Sequence, residues 1–160
     1  MAVIFSAACP HCDLANNIPN DAEARKARCG RCDGALFEGK AIDVDPTRFA
    51  KHVVAGQIPV LAMFWLPIRG QATHIELSDY AARFEPRIRF LRINMQDHFD
   101  LGEHHQVKGV PNMALFSDGR LVDRKVGKPY RPPPVRPGAP ERPDPLVVWL
   151  EGHARASPAA

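Results

Sequence analysis

The sequence predicts an α/β fold in which a mixed sheet is covered by helices on both faces and preceded by a small cysteine-bearing unit. Three observations predict it. Helix-like and strand-like patterns alternate over residues 38–127, and strands separated by helices require crossovers, hence parallel pairing. Ser117-Asp118-Gly119 stands between two apolar runs and signals a tight hairpin, which adds an antiparallel edge. All four cysteines of the 160 residues fall in the first 32, as two Cys-x-x-Cys motifs.

Asp45-Pro46 is a helix start, an acceptor at the N-cap with proline at the first helical position, and the helix is expected to reach about residue 54. Residues 58–65 are almost wholly apolar, as a strand buried on both faces must be. Residues 73–84 fit a helix with Ile75, Leu77, Tyr80, Ala81 and Phe84 on its apolar side. Ile88, Phe90, Leu91 and Ile93 mark a second buried strand, and residues 99–105 a short helix. Residues 113–116 and 121–126 flank the hairpin turn, and Asp144-Pro145 opens a last helix that buries Leu146, Val147, Trp149 and Leu150.

The chain divides into a ribbon (1–37), a domain (38–153) interrupted by a proline-rich insertion (128–143), and a disordered tail (154–160). The insertion holds seven of the chain's sixteen prolines, favours polyproline II, and reads as a semi-rigid spacer more than a recognition ligand. The longest apolar run, 58–68, is too short to span a bilayer. The first eight residues lack a basic region and do not read as a signal peptide, so a cytoplasmic protein is expected. A formal charge of +3 with scattered arginines gives no basis for nucleic-acid or membrane binding.

Cys9-Pro-His-Cys12 and Cys29-Gly-Arg-Cys32 are separated by sixteen residues, the signature of a four-cysteine zinc ribbon. Each motif forms a turn that aims two sulfurs at one point, and Gly30 is expected to ease the bend. A unit this small buries too little apolar surface to fold alone, so one structural zinc ion must supply much of its stability. The ligands alone also suit iron. The competing reading is a pair of redox dithiols or two disulfides. His11 is read as a turn residue, and His98, His104 and His105 as polar residues of a helix and its exit rather than metal ligands. Asp43 and Asp45 are read as turn and cap residues.

With Ile58-Pro-Val-Leu-Ala-Met-Phe-Trp-Leu-Pro67, Phe90-Leu-Arg-Ile-Asn94 and Gly109-Val-Pro-Asn-Met-Ala-Leu-Phe116 added to the two cysteine motifs, the chain resembles the zinc-containing bacterial thioredoxins of the thioredoxin 2 type. The resemblance implies a thioredoxin fold and a cis Val110–Pro111 bond beside the active site. It also implies a departure. The family's redox Cys-Gly-Pro-Cys is replaced here, with Arg69 and Ala72 at the two cysteine positions and Met63 where the family keeps a buried acid. Dithiol exchange needs one thiolate to attack and a second thiol to resolve.

Two functions are therefore weighed, beside that of an inactive relative with no site. The leading one is a redox-inactive adaptor that binds a protein or extended peptide client along a groove of Trp65, Ile68, Arg69, Val110, Pro111 and Asn112. Arg69 biases that groove toward acidic clients. The alternative is a thiol redox protein in which the ribbon cysteines form a zinc-linked switch.

Overall fold

The computed structural model describes residues 4–55, 57–68, 75–128 and 136–154. Arg69 and Ala72, much of the proline-rich insertion and the tail beyond residue 154 lie outside the described residues.

The chain opens with an antiparallel hairpin, β1 (Ile4–Ala8) and β2 (Ala15–Pro19), followed by one 3₁₀ turn at Ala24–Lys26. A five-stranded sheet follows. It is built from β3 (Ile42–Asp43), β4 (Val60–Trp65), β5 (Arg89–Asn94), β6 (Asn112–Ser117) and β7 (Arg120–Val126), in the spatial order β3-β5-β4-β6-β7. The β3–β5 and β5–β4 pairs are parallel; β4–β6 and β6–β7 are antiparallel. Four helices complete the described chain: α1 (Pro46–Ala55), α2 (Ser78–Phe84), α3 (Phe99–His104) and α4 (Pro145–His153).

Alternation along β4 divides the core, since successive side chains of a strand point to opposite faces. Val60, Ala62 and Phe64 pack with Phe49 and Val53 of α1, and with Leu91, Ile93, Ala114 and Phe116. Leu61 and Met63 pack on the other face with Ala81 and Phe84 of α2, and Leu146 and Leu150 of α4. Both faces are covered, which is why the strand reads as a continuous apolar run.

Local chemistry sets the element ends. The Asp45 carboxylate accepts from the Arg48 N–H at 2.8 Å, and that of Asp144 from the Leu146 N–H at 2.9 Å. The hairpin turn places Asp118 at φ 51° and Gly119 at φ 77°, the left-handed pair a two-residue hairpin favours. Val110–Pro111 is cis, as the family resemblance implies, and Glu85–Pro86 is a second cis bond.

Three expectations need correction. The helix expected over 73–84 begins at Ser78, where the Glu76 carboxylate takes the Ser78 N–H at 3.0 Å and stops the helix from starting earlier in the described chain. Ile75 and Leu77 still pack on the core, but from outside the helix. Asp43 belongs to β3 and not to a turn. The first buried strand starts two residues late, at Val60.

Candidate functional site

The two cysteine motifs fold as the same turn twice. In the first, the Cys9 N–H donates to the Leu14 carbonyl at 2.8 Å and the Asp13 N–H to the Cys9 carbonyl at 3.0 Å. In the second, the Cys29 N–H donates to Gly34 at 2.8 Å and the Asp33 N–H to Cys29 at 3.0 Å. Each turn closes on an aspartate in the left-handed region, Asp13 at φ 63° and Asp33 at φ 60°. Short polar side chains tolerate that conformation. Gly30, expected to ease the bend, has no positive φ, and a Cβ there meets only Asn16 Oδ1 at 3.8 Å. The glycine the site needs is Gly34, where a Cβ would overlap the His11 ring.

Four sulfurs converge as a result. Cys9 Sγ lies 3.6 Å from Cys32 Sγ, Cys12 Sγ lies 3.6 Å from Cys29 Sγ, and all four fall within 4.8 Å of one another. Backbone N–H groups point at them: His11 to Cys9 at 3.3 Å, Arg31 to Cys29 at 3.4 Å and Gly34 to Cys32 at 3.4 Å. Asn16 ties the turns together. Its amide donates to the Leu14 carbonyl at 2.8 Å and to Cys29 Sγ at 3.6 Å, while its Oδ1 accepts from the Gly30 N–H at 3.0 Å.

Charge explains what such a cluster accommodates. Burial pushes the Cys9 thiol up to about 12. The Cys32 and Arg31 backbone N–H groups bring Cys29 down to about 6. Four adjacent sulfurs cannot all ionise unaided, because each thiolate repels the next. A cation at their centre removes that repulsion, so the donor set, its spacing and its N–H shell all fit a metal ion. This is the only group of metal-ligand side chains close enough to hold an ion among the described residues. His98, His104 and His105 form no such group. His105 instead packs edge-on against Phe49 and Phe116, at centroid distances of 5.1 and 5.4 Å.

Polar ties join the cysteine unit to the sheet. Asp13 accepts from Arg48 Nε at 3.0 Å and from His52 Nε2 at 3.1 Å. Arg48 Nη2 also donates to the Pro10 carbonyl at 2.7 Å. Burial raises the Asp13 carboxyl, but the Arg48 and His52 hydrogen bonds outweigh it and hold Asp13 low. Burial, aided by the Arg89 charge, pulls His52 down to about 4, so the imidazole is neutral near pH 7 and Nε2–H is the donor. Arg89, fully buried, reaches from β5 to the Ala8 carbonyl at 3.0 Å and to Glu85 at 3.3 Å, with its guanidinium 4.9 Å over the Phe37 ring. Arg25 donates to the carbonyls of Ala82 and Arg83, both at 3.3 Å, at the end of α2.

The expected groove is only partly assembled. Trp65 and Val110 are half-buried and Ile68 is exposed. Pro111 and Asn112 are buried, so their side chains offer little surface; Asn112 Oδ1 takes a long hydrogen bond from Arg124 at 3.4 Å. The Pro111 carbonyl is occupied by the Gly127 N–H at 2.7 Å. The Val110 peptide groups make no hydrogen bond among the described residues, which leaves one backbone position open beside the cis bond. Arg92, not singled out in the sequence, lies 5.0 Å over the Trp65 ring. Met63 is fully buried and accepts the Ile75 N–H on its sulfur at 3.2 Å.

Comparison with known proteins agrees with this architecture. Residues 40–132 match the family model described as Thioredoxin. Thioredoxin 1 of Nostoc sp. is 25% identical over 89 residues, covering 54% of this chain and 83% of that protein. The thioredoxin of Pseudomonas aeruginosa is 26% identical over 88 residues, 54% of this chain and 82% of its own length. Among solved structures, a point-mutant thioredoxin from Halobacterium salinarum superposes with a TM-score of 0.57 at 19% identity. That match covers 78% of this chain and all of the other.

Proposed function

The chain belongs to the thioredoxin family, and from that premise we propose that it is a degenerate member of the zinc-containing, thioredoxin 2-like group. In this reading it carries one structural zinc ion and acts as a redox-inactive module that binds a protein or extended peptide. Residues 1–37 are its zinc ribbon and residues 38–153 its thioredoxin-like domain. The observation that carries the reading is where the thiols are. All four cysteines are gathered in the ribbon, and residues 33–160, which include the whole family-matched stretch, contain none. Without a thiolate to attack or a thiol to resolve, that stretch cannot cycle a disulfide.

Zinc is the ion the donors favour. A tetrahedron with Zn–S of about 2.3 Å has S–S edges of roughly 3.8 Å, and two sulfur pairs here stand at 3.6 Å. When bound, zinc holds the four sulfurs as thiolates; Cys9, Cys12, Cys29 and Cys32 are its ligands. Reduced thiolate ligands suit a reducing compartment, and we place the protein in the cytoplasm. Among the described residues no helix is long and apolar enough to cross a membrane.

The Val110 peptide beside cis Pro111, with Trp65 and Ile68 lining the same groove as the family resemblance implies, is where an extended client would lie. Backbone pairing at such an edge needs no thiol. Arg69 would favour acidic clients. The test is titration of ¹⁵N-labelled protein with a panel of extended acidic peptides. Shifts concentrated at the Trp65 indole and the Val110 and Asn112 amides support the reading. A panel that moves none of these signals sinks it.

The second reading, a zinc-linked switch, draws on the exposure of Cys32 and its 3.6 Å approach to Cys9. Two thiolates would lose two electrons to a peroxide, forming a disulfide and releasing zinc. Metal retention under mild peroxide argues against it.

A further inference from the structure

A cavity of about 560 Å³ lies between the first cysteine turn and the outer side of α1, lined at one point by Cys12. Its apolar lining comes from two places in the chain: Leu14 and Ala15 after the turn, and Ala50 and Val54 on the helix. Val54 is 76% exposed, unusual for a valine on a helix whose other face is core. Two cations, Arg31 and Lys51, line the same cavity, one from each side. Neither has an ion-pair partner among the described residues. The one acid in the lining, Asp13, is already engaged by Arg48 and His52. An apolar floor with free positive charge on both walls is complementary to an anchor side chain flanked by carboxylates.

We propose that this groove is a docking site for an acidic segment of a partner protein, one carrying an aliphatic or aromatic anchor, and that docking depends on the bound metal. The second half follows from how the groove is built. One wall is the cysteine turn itself, and the Asp13 tie to Arg48 and His52 holds it against α1. A turn of this kind is ordered by its metal. Loss of the ion removes the wall, so a partner binding here reports metal occupancy. The inference rests on the metal-centre reading but not on the Trp65 groove, which lies among other residues.

The test uses the full-length protein with its metal content measured. A panel of labelled octapeptides, each with a central Leu, Ile, Val or Phe flanked by glutamates, is followed by fluorescence anisotropy. Matched panels carry lysine flanks or a serine centre. At least one acidic, apolar-centred peptide should bind saturably, and the lysine and serine panels at least tenfold more weakly. Binding should fall tenfold or more in Arg31→Glu/Lys51→Glu and after chelation, and be unchanged in Arg120→Glu, an exposed cation at the far end of β7 that belongs to neither groove; circular dichroism checks that each variant is folded.

Several outcomes overturn the proposal. One is no saturable binding by any acidic peptide to metal-loaded protein. Another is equal binding of the lysine panel. A third is charge reversal that lowers metal content but spares peptide binding, which would assign the cations to balancing the thiolates. The last is a concentration-dependent dimer that charge reversal dissociates, which would make a second copy of the chain the occupant. Absence of metal from the purified protein would fail the metal-centre reading separately.

Discussion

The ribbon and the sheet are held together in different ways. The sheet domain has two apolar layers in which β4 contributes alternate residues to each face. The ribbon has a smaller core of Phe5, Ala7, Ile18, Leu36 and Phe37 with two of the cysteines, and much of its order comes from polar groups arranged around four sulfurs. Burial of apolar area scales with size, so a unit of this length cannot rely on it. The chemistry divides the same way. Every cysteine of the chain lies in the small unit, and the family-matched stretch of the large one contains none.

Removing one ligand should separate the two units most sharply. In Cys29→Ser, metal should fall from about one ion per chain to less than a tenth of that by mass spectrometry. Amide protection should collapse through the ribbon and persist in β4 and β6, because structural zinc contributes on the order of 10 kcal/mol to such small units. Equal loss of protection in both would mean that they fold as one.

Next in size is the buried pair between them. Arg89→Ala strands Glu85, whose carboxyl burial already pushes up, and leaves the Ala8 carbonyl without its donor. Breaking such a pair costs about 3–5 kcal/mol, read from urea unfolding. Arg89→Met with Glu85→Gln should recover part of the loss.

The tie at α1 predicts a pH dependence. His52 has its folded value depressed to about 4 from 6.5. Between those values the unfolded chain binds the proton and the folded one does not. Stability therefore rises with pH across that window and is lost as pH falls from about 6.5 toward 4, by up to roughly 3 kcal/mol. His52→Leu should flatten the difference between pH 4.5 and pH 7 relative to the parent. An unchanged slope would assign the acid sensitivity elsewhere.

The smallest effect belongs to Arg25, which caps the last carbonyls of α2 from the ribbon. Arg25→Ala should cost about 0.3–1 kcal/mol, visible as a shift in the urea midpoint.

Much of this was legible because it was local. Asp45-Pro46, Asp144-Pro145 and Asp118-Gly119 each carry their own structural instruction within two residues, and each is obeyed. The cysteine spacing likewise declares that the sulfurs meet, and they do. What escaped depends on partners distant in sequence. Strand β3 is two residues long and exists only through its pairing with Leu91 and Arg92. The β1–β2 hairpin has little alternation, and nothing local in the sequence shows that Asn16 meets Gly30 and Cys29. Arg89 sits in an apolar strand with nothing nearby in sequence to show that it reaches Ala8, 81 residues away. Motif spacing does not reveal that Gly34, rather than Gly30, faces His11. The cis Val110–Pro111 bond came from the family resemblance, not from any pattern in the residues.

The claim on which the rest depends is the proposal that this chain does not catalyse disulfide exchange. Insulin disulfide reduction, with dithiothreitol as electron source and metal-replete protein, tests it most directly. The account predicts a rate indistinguishable from dithiothreitol alone, unaltered by Trp65→Ala. Turnover comparable to that of an ordinary thioredoxin, abolished in Cys32→Ser, would contradict it and move the reaction to the ribbon.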